Sequence, residues 1–172
     1  SLKYFSLGDI QFRLEDGSYQ GTGKPNEFAF DFAYSRILSN HLSGSVALRY
    51  IRSDLQVISQ NDYYKAGNSF AADLAFYYQN DLEIGGRDGI ISAGINVSNV
   101  GTKISYDPDH QYFIPTNLRI GTAYTSQIDD FNQITFTIDF NKLLVPTPNY
   151  DISEDKYNSL DVSVVSGIFK SF

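Results

Sequence analysis

The chain has only two histidines, His41 and His110, to offer as general bases near neutral pH. Neither stands near a serine in a nucleophile-elbow spacing such as GxSxG, so acyl chemistry has no visible centre. The stretch "DPDH" at 107–110 supplies oxygen ligands but lacks the ordered spacing of a calcium loop, and it reads as a solvated acidic segment. "IGGRDG" at 84–89 is a turn, because no helix follows on which an anion could rest. With no cysteine, disulfides and thiolate metal sites drop out as well. The expectation is a protein that is not an enzyme and that uses neither cofactor nor metal.

Six other residues are more regularly placed. Measured from the middle of the connecting turns, Asp31, Arg49, Asp73, Asn96, Arg119 and Asp139 lie at nearly matching levels on successive segments. They predict one polar ladder in which opposite charges on neighbouring strands satisfy each other where water is scarce. Strand tilt makes that level matching approximate.

A ladder needs strands to carry it. In "NEFAFDFAYS" at 26–35, Phe28, Phe30, Phe32 and Tyr34 alternate with Ala29, Asp31, Ala33 and Ser35, giving one aromatic face and one small, polar face. The alternation recurs at 10–14, 46–50, 70–78, 91–97, 118–124 and 134–140, so about seven strands are expected and no helix. In a soluble sandwich the aromatic face would be core; in an outer-membrane barrel it would meet lipid and Asp31 would face the lumen.

Three features favour the barrel. Segments 37–44, 80–89 and 127–132 are short, segments 15–26, 54–68, 99–116 and 142–158 are long, and the two kinds alternate, as in a meander with periplasmic turns and outer loops. Charges inside the strands keep to the polar face, apart from Arg36 and Arg52 at strand ends, where a long side chain can snorkel. The polar face is rich in Ala, Gly, Ser and Asn, like a crowded lumen. No apolar run is long enough for a spanning helix. The net charge of -7 argues against nucleic acid. The expected fold is therefore all-β, a transmembrane antiparallel up-and-down barrel in the outer membrane of a Gram-negative bacterium, in contact with its lipid.

Several blocks resemble the PorV (LptO) family: "LKYFSLGDIQF" at 2–12, "NEFAFDFAYSR" at 26–36, "GSVALRYIRSDL" at 44–55, "FAADLAFYYQN" at 70–80, "FIPTNLRIG" at 113–121, "FNKLLVPTP" at 140–148 and "SGIFKSF" at 166–172. The resemblance implies a FadL-like fourteen-stranded barrel of the type IX secretion system of Bacteroidetes. Such a protein accepts cargo through its C-terminal signal domain at the translocon and delivers it to a sortase-like attachment complex on the surface. The translocon barrel subunit, the cargo signal domain and that complex are the implied partners. A FadL-like transporter of hydrophobic small molecules, or a lipid A deacylase, is the alternative.

About seven strands are too few for that barrel, so residues 1–172 are expected to be a single N-terminal region, cut at both ends. The alternative is a complete eight-stranded barrel, with Leu160, Val162 and Val164 marking the eighth strand. In the outer loops, Tyr63, Tyr64, Tyr112, Phe113 and Ile114 are expected to anchor partners, or else to fold back and plug the barrel or join its aromatic girdle.

Overall fold

The computed structural model describes residues 1–172 apart from 56–64, 109, 148, 152–155 and 159–161. In chain order the elements are β1 (Leu2–Ser6), β2 (Ile10–Arg13), β3 (Tyr19–Gly23), β4 (Asn26–Ile37), β5 (Leu42–Asp54), β6 (Gly67–Ile84), β7 (Arg87–Gly101), β8 (Asn117–Gln127), β9 (Gln133–Leu143), β10 (Asn149–Asp151), β11 (Lys156–Asn158) and the helix α1 (Val164–Lys170). A seven-stranded antiparallel sheet, β1-β4-β5-β6-β7-β8-β9, curls into a half-barrel, an incomplete β-barrel. The alternating segments from 28–34 to 134–140 form β4 to β9 in sequence order.

The first expected strand is corrected. Residues 10–14 do not enter the sheet; β1 takes the edge beside β4, with Lys3 opposite Ala29, and β2 pairs with β3 in a separate hairpin. The cause is a tight turn inside what reads as a loop at 15–26. Asp16 Oδ1 accepts from Ser18 N at 2.8 Å, and Gly17 takes φ +82°, so the chain reverses at once.

The connections alternate in length as the sequence predicts. At one end lie the turns at 38–41, 85–86 and 128–132; at the other lie 7–25, 55–66 and 102–116. The β6–β7 turn is tighter than 80–89 suggests. Gly85 and Gly86 both have positive φ, as in a type I′ turn, so the flanking strands run on to Ile84 and Arg87.

The eighth strand and the expected absence of helix are also corrected. Val164 begins α1, whose N-cap is Ser163: its extended backbone and its hydroxyl, accepting from Ser166 N at 3.2 Å, stop strand geometry there. Leu160 lies outside the described residues, and Val162 precedes the helix without joining the sheet. β1 and β9 stand at opposite ends of the strand order, so the eight-stranded closure is not formed.

Register carries the face pattern across the strands. Tyr34, Val46, Leu74, Val97 and Leu118 are successive partners, as are Phe30, Tyr50 and Phe70. This apolar face is open: Phe32 is 65% and Ile138 74% exposed, whereas the buried apolar residues are Ala71, Ile104, Ile114 and Leu144. The largest apolar side chains are outside and the packed ones sit near the long-loop end. Water does not tolerate so continuous an apolar surface; hydrocarbon does.

Two outcomes follow. Phe30→Lys should cost membrane folding about 2 to 4 kcal/mol, the penalty for a lipid-facing lysine at mid-depth, whereas Ala33→Lys on the opposite face should escape it; urea titrations in vesicles of known thickness compare the two. In the 128–132 turn, Asp129 accepts from the Asn132 amide and from the backbone N–H groups of Phe131 and Asn132, and these bonds hold its carboxyl below the usual range. A lowered folded value means that the turn keeps this support above the unfolded carboxyl pKa of ~3.9 and loses it as pH falls through the folded value. The amide resonances of Phe131 and Asn132 should titrate together, with a midpoint below about 3.9.

Candidate functional site

The polar face gathers its charges where β4, β5, β6 and β7 run side by side. Asp31 and Arg49 are directly opposite on β4 and β5. Arg49 donates through Nε to Asp31 Oδ1, through Nη2 to Asp73 Oδ2 at 3.2 Å, and through Nη1 to Asn99 Oδ1. Lys3 Nζ lies 3.7 Å from Asp31 Oδ2. The guanidinium and both carboxylates are largely shielded, the Arg49 side chain at 19% exposure, Asp31 at 11% and Asp73 at 18%. A fork of N–H donors that reaches three acceptors fixes their positions in a way that a lysine could not.

Asn99 is the residue that sequence reasoning missed. Opposite Asp73, β7 carries two residues, Ser98 and Asn99, where regular pairing would place one: Ala72 faces Val100 and Leu74 faces Val97. This is a β-bulge, and Asn99 sits in it at φ +57°, a conformation that asparagine tolerates better than most residues. Its backbone N–H donates to Asp73 Oδ1 at 2.7 Å, its side-chain Nδ2 donates to the Pro115 carbonyl at 3.1 Å, and its carbonyl accepts from Thr116 Oγ1 at 2.7 Å. The ion-paired group is thereby tied to the Pro115–Thr116 end of the loop at 102–116. The available signal was a lost step in the alternation, with Val97 and Val100 three residues apart.

That loop folds back over the polar face. Ile104 and Tyr112 exchange both backbone hydrogen bonds at 2.8 Å, making a small clasp, and Ile104 and Ile114 bury themselves against Ala71. Gly67 leaves the room this needs: a Cβ there would stand 2.6 Å from Ile104 Cγ1 and 3.0 Å from Tyr106 Cε1. Tyr106 donates to Ser53 Oγ at 3.0 Å, and Ser53 donates to Glu27 Oε1 at 2.5 Å, which pins the loop to β4 and β5. α1 joins from the side, with Gly167 against Phe113 and Pro146, and Lys103 Nζ sits 4.6 Å above the Phe113 ring.

The expected ladder does not form as one ring. The Gly85–Gly86 turn sets the β6–β7 register so that Asn96 faces Ala75, and the bulge beyond Val97 brings Asn99 to Asp73. Asn96 is opposite Arg119 as expected, but Arg119 faces Asn141, and Asp139 faces Gly121. Asn96, Arg119 and Asp139 instead border an open concavity of about 380 Å³, with Tyr77, Gly94 and Gly121 among its walls. A side chain at Gly121 would collide with the Asp139 carboxylate.

The loop residues also divide. Tyr112 is 49% exposed, near Tyr106 and His110. Phe113 is half-buried, and Ile114 is not an exposed anchor, because at 5% exposure it belongs to the packed loop. Tyr63 and Tyr64 lie outside the described residues. His110 closes on its own turn, donating its backbone N–H to Asp107 Oδ1 at 2.7 Å, with Nδ1 2.9 Å from the same oxygen. His41 lies against the Tyr78 ring in the short β4–β5 turn. Neither histidine touches the ion-paired group.

The family model described as "Type IX secretion system protein PorV" matches residues 1–150. No curated protein matches the chain.

Replacing Arg49 with Ala should cost about 3 kcal/mol or more, because two shielded carboxylates lose their counter-charge. Adding Asp73→Asn should recover part of that loss. A double-mutant cycle read from urea titrations should report a coupling of roughly 0.5 to 3 kcal/mol; strict additivity would mean that the pair does not interact.

Proposed function

The chain belongs to the PorV family of type IX secretion system outer-membrane proteins, and from that premise we propose that it acts as a shuttle, taking secreted cargo from the translocon barrel subunit by the cargo's C-terminal signal domain and passing it to a sortase-like attachment complex. The observation that carries this reading is the family match over 1–150, which takes in the whole of the seven-stranded sheet. On this reading residues 1–172 are one barrel region, the polar face lines its lumen, and the six residues from Asp31 to Asp139 serve to hold the wall and the loop rather than to do chemistry.

The geometry supports binding at the long-loop end. The loop at 102–116 is anchored at both ends, by Thr102 on Ser69 and Phe70 and by Pro115 and Thr116 on Asn99, and is packed on Ala71, so it presents Tyr112 from a rigid base. α1 adds Val165 and Phe169, exposed at 62% and 74%. Rigid aromatic side chains on a fixed base bind a protein partner with little ordering cost. A loop packed over the polar face also suits a carrier that holds its cargo at the surface better than an open pore.

The test is purification of the full-length protein from its native membrane, with identification of what accompanies it. Translocon subunits and signal-bearing cargo are expected. Tyr112→Ala combined with Phe169→Ala should lower the cargo recovered by about 30-fold, the loss set by one hot-spot contact, and should cause uncleaved cargo to accumulate while heat-modifiable barrel mobility stays normal. Bound fatty acid without cargo would favour the transporter instead.

A further inference from the structure

The two faces of the sheet differ in the sign of their charges as well as in polarity. On the apolar side, read through the register, the charged residues of the seven strands are Arg36, Arg52, Arg87, Lys142 and one acid, Asp54. Every other carboxylate of these strands, from Glu27 to Asp139, lies at the opposite parity. For a chain with net charge -7, an apolar face edged almost wholly by cations is not a product of composition.

Arg36 and Arg52 stand at the two margins of that face. Arg36 is opposite Gly44, eight residues from Arg52 along β5. At ~3.4 Å per residue this is about 27 Å along the strand, or roughly 21 Å along the membrane normal at a tilt near 40°. The apolar band of such barrels is about 25 Å tall, so two snorkelling guanidinium groups reach its two boundaries. Among the described residues, neither arginine makes an ion pair. Arg87 lies farther out, at the β6–β7 turn, and Lys142 is engaged 5.0 Å above the Phe172 ring.

The surroundings of Arg52 are those of a headgroup site. Its register partners are Phe28 and Asn68. Just inside them, Tyr50 meets Phe28 edge-on at 5.8 Å and Phe70 at 5.2 Å, and its hydroxyl donates to Asn68 Oδ1 at 2.7 Å. An aromatic belt with a cation and an amide above it places apolar surface against acyl chain and donors against phosphate. At the other margin Arg36 lies beyond Tyr34 on the same face, and Tyr78 with His41 lies across β5 from it.

We propose that Arg52 and Arg36 bind the phosphates of membrane lipid headgroups, one in each leaflet, and so fix the depth of the barrel. This rests on the outer-membrane placement of the family and not on the shuttle role, and it can fail or stand independently of cargo binding.

The test is native mass spectrometry of the full-length protein, released from nanodiscs that contain equal amounts of phosphatidylglycerol and a galactosyl diacylglycerol with the same acyl chains. The unaltered protein should retain phosphatidylglycerol adducts over galactolipid by about tenfold, the ratio expected for a charge-assisted contact. Arg52→Gln and Arg36→Gln together should bring the two lipids level, the corresponding Lys variants should restore most of the preference, and Arg13→Gln in the β2–β3 hairpin should change nothing. Equal retention of both lipids by the unaltered protein would overturn the proposal without relying on any variant. An equal loss in Arg13→Gln would also overturn it, since net charge would then explain the effect.

Discussion

Everything in this molecule follows from parity. A strand sends successive side chains to opposite faces, and here the two faces differ in kind, one a continuous apolar surface suited to hydrocarbon and one of polar groups partly packed under a loop. Away from the strand ends, the apolar face carries no charge. A misplaced step would put Asp31 or Arg49 on the apolar face and Phe30 or Tyr50 among carboxylates, so the register from β4 to β9 is enforced by solvation as much as by backbone hydrogen bonds.

Within that frame the ion-paired group does work that a simple ladder would not. Arg49 ties β4, β5 and β6 together, and through Asn99 it reaches the base of the loop at 102–116. The charges neutralise one another in a shielded place and also decide where the chain leaves the barrel wall. The loop then supplies most of the apolar packing, with Ile104 and Ile114 on Ala71. A wall with most of its large apolar residues on the other face has little other means of building an interior core.

Much of this was legible in the sequence because alternation is a strong signal where both faces are constrained. The aromatic rows of β4 and β9, the alternation of short and long connections and the Asp31, Arg49 and Asp73 contacts all follow from counting residues. What counting missed depends on departures from it. The Asp16–Gly17 turn folds β2 away from the sheet, Gly85 and Gly86 shorten a turn, and Ser163 caps a helix where alternation suggests a strand. The β6–β7 and β8–β9 turns set registers in which Asn96 faces Ala75 and Asp139 faces Gly121, and the bulge brings Asn99, not a ladder residue, to Asp73. The burial of Ile114 depends on Gly67, remote in sequence, and so could not be read locally.

That bulge also gives β7 an uncommon tolerance. In most spanning strands, inserting or deleting a single codon turns every later side chain to the wrong face. At Ser98 and Asn99 the extra residue is already present, and Val97 and Val100 already face Leu74 and Ala72 on either side of it. Loss of one of the pair would restore uniform pairing and leave both flanks of the strand facing as before. The same loss would remove the left-handed turn that aims the loop inward. Length variation among relatives can therefore enter at this point without unfolding the wall, and its cost would fall on the loop's inward anchorage.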